Sequence, residues 1–196
     1  AALRTGAVPL MAHGAKGITA LDIAEQQAAN WQEAGKTDCD LLLVSGGWSP
    51  VVNLLSHRGV KPLWDADLAC FVPGQTTEPL SMAGSAAGVW NDSACLLSGQ
   101  AAAERAVAHL GGAQGSTATP VPGGWQGAIA PLYEVSVPGR QLKSFVDPQH
   151  DVTTEDIRLA HREGYVSVEH LKRYTTLGMA TDQGKMGNII GLALMA

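Results

Sequence analysis

The sequence predicts an α/β domain followed by a small helical domain. Cys39-Asp40-Leu41-Leu42-Leu43-Val44-Ser45-Gly46-Gly47 sets four consecutive large apolar residues before a Gly-Gly turn. Such a run reads as a strand buried on both faces, the kind found in α/β sheets. Leu80 to Gly88 passes from a short apolar stretch into small residues, and an Ala-rich segment from Ala94 to Leu110 reads as a helix. Beyond Asp151, capping residues and turn glycines punctuate two short amphipathic helices.

The elements follow in order. Ala7 to Ala12 is an apolar run read as a strand, and His13 to Gly17 is a turn. Ile18 to Ile23 alternates loosely, whereas Gln26 to Lys36 is polar and reads as a loop or partial helix. The strand at Asp40–Gly47 comes next, then the strand, small-residue turn and helix of residues 80–110. In that arrangement backbone N–H groups can approach a phosphate or ribose closely. Gly84 and Gly88 could equally let the helix pack tightly on a sheet. Gly111 to Gly124 is too rich in Gly, Pro, Ser and Thr for regular structure and reads as a linker. Thr153 with Asp156 forms a capping-box pattern for a helix ending at Gly164. Ser167 can cap a second helix presenting Val168, Leu171 and Tyr174, and Thr181 can start a third helical turn.

Composition narrows the function classes. With 45% hydrophobic and 16% charged residues, the 196-residue chain can fill a core and is not disordered. A net charge of -5 argues against nucleic-acid binding, which needs a basic patch to release counterions. No apolar run is long enough to span a membrane, and no signal peptide is visible, so a cytoplasmic protein is expected. The three cysteines, Cys39, Cys70 and Cys95, form no C-x-x-C and read as small core hydrophobes. His150, His161 and His170 make no recognised metal spacing, and no metal site is expected. Without G-x-S-x-G or a P-loop, hydrolase and NTPase readings have no support. Charge is uneven: Arg105 is the one basic residue between Pro62 and Gly139, while Arg140 to Lys185 holds seven.

Asp147-Pro148-Gln149-His150-Asp151-Val152-Thr153, Ser167 to Thr176, and Gly178 to Lys185 together resemble the α subunit of heterotetrameric sarcosine oxidase. Asp40 to Pro50, Trp64-Asp65, Phe71 to Gly74 and Met82-Ala83-Gly84 are similar to the same subunit's flavoprotein-like region. The resemblance implies a partial dinucleotide-binding domain, glutathione-reductase-like with a β-meander, over residues 1–111. A Gly/Pro-rich linker follows over 112–140, the small helical domain over 141–187, and the start of a link to a folate-binding domain over 188–196. No G-x-G-x-x-G occurs, the match is to the middle of the subunit, and the chain alone is expected to be inactive.

The helical domain also resembles bacterioferritin-associated ferredoxin, whose four cysteines hold an iron–sulfur cluster. The alignment puts Asp147, Gln149, Asp182 and Gly187 at those four positions. Clusters need thiolates or histidines, so no iron–sulfur cluster is expected. The scaffold then needs another occupant or a collapsed core.

What the resemblance implies can be stated by residue. The intact enzyme oxidatively demethylates sarcosine to glycine, yielding hydrogen peroxide and 5,10-methylenetetrahydrofolate or formaldehyde. Its α subunit holds NAD, its β subunit FAD, and FMN lies at the α–β interface; tetrahydrofolate binds a further domain. The expected partners are the β subunit and the smaller γ and δ subunits, with neither nucleic acid nor membrane. NAD would be approached by Gly46, Gly47, Gly84, Ser85, Ala86 and Asn91. Related flavoproteins have Asp after the second-segment glycine to contact FAD, and here that position is Ser85. The FMN candidates are Lys172, Arg173, Thr175, Thr181, Gln183, Gly184 and Lys185, with Thr181, Gly184 and Lys185 at a helix start where a phosphate is favoured. The Lys-Arg pair could instead be a solvated helix face. No catalytic residue is expected in this chain. Two alternatives remain: the α subunit of a related amine or proline dehydrogenase, and a non-catalytic dinucleotide-binding assembly module.

Overall fold

The computed structural model describes residues 3–77, 79–113, 115 and 128–196. Much of the expected linker, residues 114 and 116–127, lies outside the described residues. In chain order the elements are β1 (Ala7–His13), β2 (Ala20–Gln27), β3 (Asn30–Asp38), α1 (Asn53–Ser56), β4 (Leu63–Asp65) and β5 (Cys70–Val72). A 3-10 turn (Gly84–Ala87) and α2 (Asp92–His109) follow, then β6 (Phe145–Asp147), β7 (Val152–Thr153), α3 (Thr154–Arg162), α4 (Val168–Thr175) and α5 (Gly187–Met195). The fold is mixed α and β, and every strand pairing among the described residues is antiparallel. The chain divides into two compact units, one formed by Ala1–Val44 with Leu132–Ala196 and the other by Ser45–Pro131.

In the first unit β1, β2 and β3 form a meander with β2 central. β2 buries Ala20, Leu21 and Ala24, as a strand flanked on both edges should. Pro9 has no N–H to give the ladder, and the β1–β2 register slips between Pro9 and Met11. The β2–β3 register slips beside Gly35, whose φ of +118° suits glycine. Gln26 to Lys36 is therefore the end of β2, a turn and most of β3, not a loop or partial helix. β3 is an edge strand, where polar and charged side chains are tolerated and guard against unwanted pairing.

The same unit holds the helical module. The expected capping box opens α3: Thr153 N donates to Asp156 Oδ2 (2.8 Å), and Asp156 N donates to Thr153 Oγ1 (3.3 Å). The helix closes at Glu163, with Gly164 at φ +94° just beyond. Ser167 precedes α4 without a side-chain cap bond. Val146, Val152, Ile157, Ala160, Leu171 and Leu177 form one core, with Tyr165, Ile190 and Leu194 packed on it. α5 approaches that core closely because Gly191 has no side chain. A Cβ there would lie 2.5 Å from Leu177 Cδ2.

The second unit is thinner. β4 and β5 make a hairpin whose turn is held by Asp65 Oδ1, which accepts from Asp67 N and Leu68 N at 3.0 Å each. Asn91 caps α2, accepting from Ala94 N at 3.1 Å, so that helix begins two residues before Ala94. α2 runs 18 residues and buries none of them completely.

Two expected strands do not form. Asp40 to Gly47 is irregular, with Leu41 at 65% and Leu43 at 83% exposure. Leu80 to Ala83 is also irregular. A strand exists only where a neighbour completes its hydrogen bonds, and neither segment has one among the described residues. The cysteines differ as well. Cys70 is buried, its thiol pushed up from 9.0 by that burial and then by Asp65, so it behaves as a core hydrophobe. Cys39 and Cys95 are only half-buried, and Cys95 Sγ donates to Val89 O at 3.0 Å.

Candidate functional site

Residues expected to approach a dinucleotide gather within the second unit. Gly84, Ser85 and Ala86 form the 3-10 turn, and Gly84 N donates to Ser98 Oγ at 3.2 Å. Gly84 takes φ +61°, a conformation costly for other residues, although a Cβ there would meet only ordinary contacts with Cys95. Close approach belongs to Gly88 instead. Its φ is +82°, and a Cβ would sit 3.0 Å from Val72 Cγ1. Gly88 therefore serves the packing of the turn on β5. Gly46 and Gly47 are exposed, with nothing near their Cβ positions. Asn91 spends its side-chain oxygen on the α2 cap.

The sequence reading missed what joins these two segments. Trp48 and Trp90 meet edge to face, with ring centroids 5.8 Å apart and planes at 62°. Trp48 directly follows Gly47 and Trp90 directly precedes Asn91, so the two segments are linked through this ring contact. The only signal available was two tryptophans, one directly after Gly47 and the other directly before Asn91. Ser85 is exposed beside these small residues, and Trp48 is itself 70% exposed.

The second set lies in the helical module. Lys172 is 3.9 Å from Glu169, a weak i,i+3 pair, and Arg173 and Lys185 have no side-chain partner among the described residues. Thr175 Oγ1 donates to Leu171 O (2.8 Å) and accepts from Leu177 N (3.2 Å), which fixes the end of α4. Gln183 Nε2 donates to Ala180 O at 3.0 Å. Gly184 is buried at φ +76°, and a Cβ there would strike the Asn188 amide.

Thr181, Gly184 and Lys185 do not start a helix. Residues 181–186 form successive turns, and α5 begins at Gly187. The reason is local: Asp182 Oδ2 accepts from Met186 N at 3.1 Å, and Gln183 and Gly184 both take positive φ, breaking a helical start. Asp182 thereby places its own carboxylate where a phosphate was expected.

The four positions of the cluster-bearing relative now carry two carboxylates, an amide and a glycine. Gln149 Oε1 accepts from Thr181 N (3.2 Å) and Thr181 Oγ1 (2.7 Å), tying one loop to the other. Asp147 Oδ1 accepts from Gln149 N (3.0 Å) and His150 N (3.4 Å). Asp147 Oδ2 and Asn188 Oδ1 are buried acceptors without partners among the described residues. Oxygen acceptors are the wrong donor set for a thiolate-held cluster, so these residues do not fit one. Among the described residues no group of three or more His, Cys, Asp or Glu is placed to hold a metal ion. None of the described helices is long and apolar enough to cross a membrane.

A third polar centre lies on the meander. Asp22, buried on β2, has Oδ1 2.8 Å from His13 Nε2 and Oδ2 3.1 Å from Arg140 Nη2, and Arg140 Nη1 also reaches Glu33 at 2.8 Å. The His13 hydrogen bond, reinforced by that of Arg140, holds the Asp22 carboxyl below its ordinary 3.8 despite the opposing effect of burial. These bonds link all four groups, which marks a structural tie.

Comparison with known proteins gives this geometry a setting. Residues 141–196 match the sarcosine oxidase A3 domain. The chain is 40% identical over 186 residues to a sarcosine oxidase subunit alpha of Rhizobium meliloti (strain 1021), covering 93% of this chain and 18% of that protein. It is 36% identical over 172 residues to the subunit of the same name from Corynebacterium sp. (strain P-1), covering 84% of this chain and 18% of that protein. For Corynebacterium sp. (strain U-96) the identity is 36% over 176 residues, or 85% of this chain and 18% of that protein. The chain thus spans less than a fifth of the length of each of these relatives.

Proposed function

We propose that this chain, a homologue of sarcosine oxidase α subunits over most of its length, is part of the α subunit of a heterotetrameric sarcosine oxidase. The observation that carries this reading is the 40% identity over 93% of the chain, joined to the A3-domain match. In that role the intact complex demethylates sarcosine to glycine, with hydrogen peroxide and 5,10-methylenetetrahydrofolate or formaldehyde as products. Redox chemistry comes from FAD and FMN held with the β subunit, and this chain's residues bind and orient.

The second unit would take NAD through Gly46, Gly47, Gly84, Ser85, Ala86 and Asn91. Backbone approach at the open glycines, the Ser85 hydroxyl and the Trp48–Trp90 pair support that reading. The module would face FMN through Lys172, Arg173 and Lys185. The anionic end would lie toward these cations and away from Asp147 and Asp182, because like charges repel. Thr175, Thr181, Gln183 and Gly184 would hold the loops in place through the bonds described above.

An oxygen electrode tests the proposal on the complex formed by the full α subunit containing this chain and its β, γ and δ partners. Sarcosine-dependent oxygen uptake is expected. Reduction of an artificial dye by proline or another amine, without oxygen uptake, would make it a related dehydrogenase, and dinucleotide binding without turnover would make it an assembly module. In the active complex, Lys185→Met should lower FMN content without loss of fold. Full FMN content would remove Lys185 from the interface.

A further inference from the structure

The second unit contains a cavity of about 930 Å³ between the β4–β5 hairpin, residues 73–76 and 79–82, and the last turns of α2. Leu55, Leu68, Val72 and Met82 give it apolar walls. Two groups on one face of α2, Arg105 and His109, line the same space one helical turn apart. We propose that this cavity binds a small molecule that carries a carboxylate or phosphate on an apolar body, with Arg105 as the anion's partner.

Arg105 is the one basic side chain between Pro62 and Gly139, and it has no ion pair or hydrogen bond among the described residues. Its nearest acidic neighbour in sequence, Glu104, accepts instead from Gln100 Nε2 at 2.7 Å. Asp65, the acidic group of the lining among the described residues, has Oδ1 committed to the hairpin turn. A guanidinium without a partner among the described residues, at the edge of apolar walls, favours a ligand that supplies both an anion and a ring or chain. The planar fork suits either a carboxylate or a phosphate. His109 adds a ring nitrogen, and Ser81 and Gln75 add short polar contacts in the same lining. The volume matches a drug-sized or single-nucleotide ligand. None of Gly46, Gly47, Gly84, Ser85, Ala86 or Asn91 lines this space, and Ala87, the last residue of the same 3-10 turn, does.

The test titrates the full chain with phenyl phosphate, benzoate and the uncharged benzyl alcohol, read by backbone amide NMR and calorimetry. At least one anionic probe is expected to bind saturably and to shift the amides of residues 73–76 and 105–110. Arg105→Met should weaken that binding roughly tenfold or more, as loss of a charge-assisted contact requires, while Lys36→Met on β3 should leave it unchanged. The ratio of the two anion affinities identifies the phosphate or carboxylate as the preferred group. Equal binding of benzyl alcohol, unaltered binding to Arg105→Met, or no saturable binding at millimolar probe to a chain with native amide dispersion would each overturn the proposal. No nucleotide enters the experiment, so its failure leaves the NAD reading untouched.

Discussion

Leu171 and Leu43 are the same side chain in opposite circumstances: Leu171 is 0% exposed inside the helical module, and Leu43 is 83% exposed in an irregular stretch. The contrast extends to whole elements. The nine-residue α3 buries Thr154, Ile157 and Ala160, whereas the 18-residue α2 buries no residue completely. Apolar content does not separate them. The module places its partners within about fifty residues, from Val146 to Leu194, on helices whose 3.6-residue period turns one stripe inward. A buried strand such as the one expected at 40–47 needs neighbours on both edges and both faces, and those come from distant sequence. Burial follows the availability of partners more than the hydrophobicity of the segment.

The strongest way to break this comparison is Leu171→Ala. A buried Leu of this kind costs about 2–5 kcal/mol when truncated, which would unfold or loosen the module. Denaturant unfolding followed by far-UV circular dichroism measures it, and a loss below 1 kcal/mol, roughly the cost of an accommodated core change, would mean the core relaxes around the gap. Thr153→Ala comes next. It removes the acceptor for Asp156 N and should cost about 0.5–2 kcal/mol in the same assay.

Acid titration sharpens the picture for the meander. Asp22 is held below its ordinary 3.8 in the folded chain, so its stabilisation is complete above that value and is lost as pH falls through the lower folded value. Asp22→Asn should therefore flatten the acid-side loss of stability below pH 3.8. An unchanged acid limb in a folded variant would take the His13–Asp22–Arg140 tie out of the pH response. The smallest effect should come from Leu43→Ala, within about 0.5 kcal/mol of the parent, as for an exposed residue. A larger loss would reveal that the 40–50 segment has a packing partner in this chain after all.

Legibility in the sequence followed the same division. Thr153, Asp156 and Gly164 announced the ends of α3 because caps are local chemistry between residues three or four apart. β3 was not legible, since an edge strand with Gln32, Glu33 and Lys36 lacks the apolar alternation that marks a half-buried strand. The strand expected at Asp40–Gly47 had the right side chains and no ladder to join. At the candidate sites, the glycine turn at residues 84–88 was readable from small residues alone. The Trp48–Trp90 contact was not, because pairing across more than forty positions leaves no periodic trace. The turns at 181–186 were hidden for another reason. Asp182 accepts a backbone bond from Met186, whereas its sequence context suggests the first turn of a helix.

Arg140 also bears on the order in which the molecule can be completed during synthesis. Its guanidinium closes on Glu33 and Asp22 across 107 and 118 residues of chain. A ribosome adding roughly 5–20 residues per second delivers Arg140 some 5–25 s after those carboxylates emerge. Throughout that interval the meander must stand with Asp22 supported by His13 alone, while Ser45–Pro131 is made as one uninterrupted piece. Of these two units, the one begun first is thus closed only after the other has been made. Conditions that slow elongation would lengthen the time in which β2 and its buried carboxylate are open to proteolysis or mispairing.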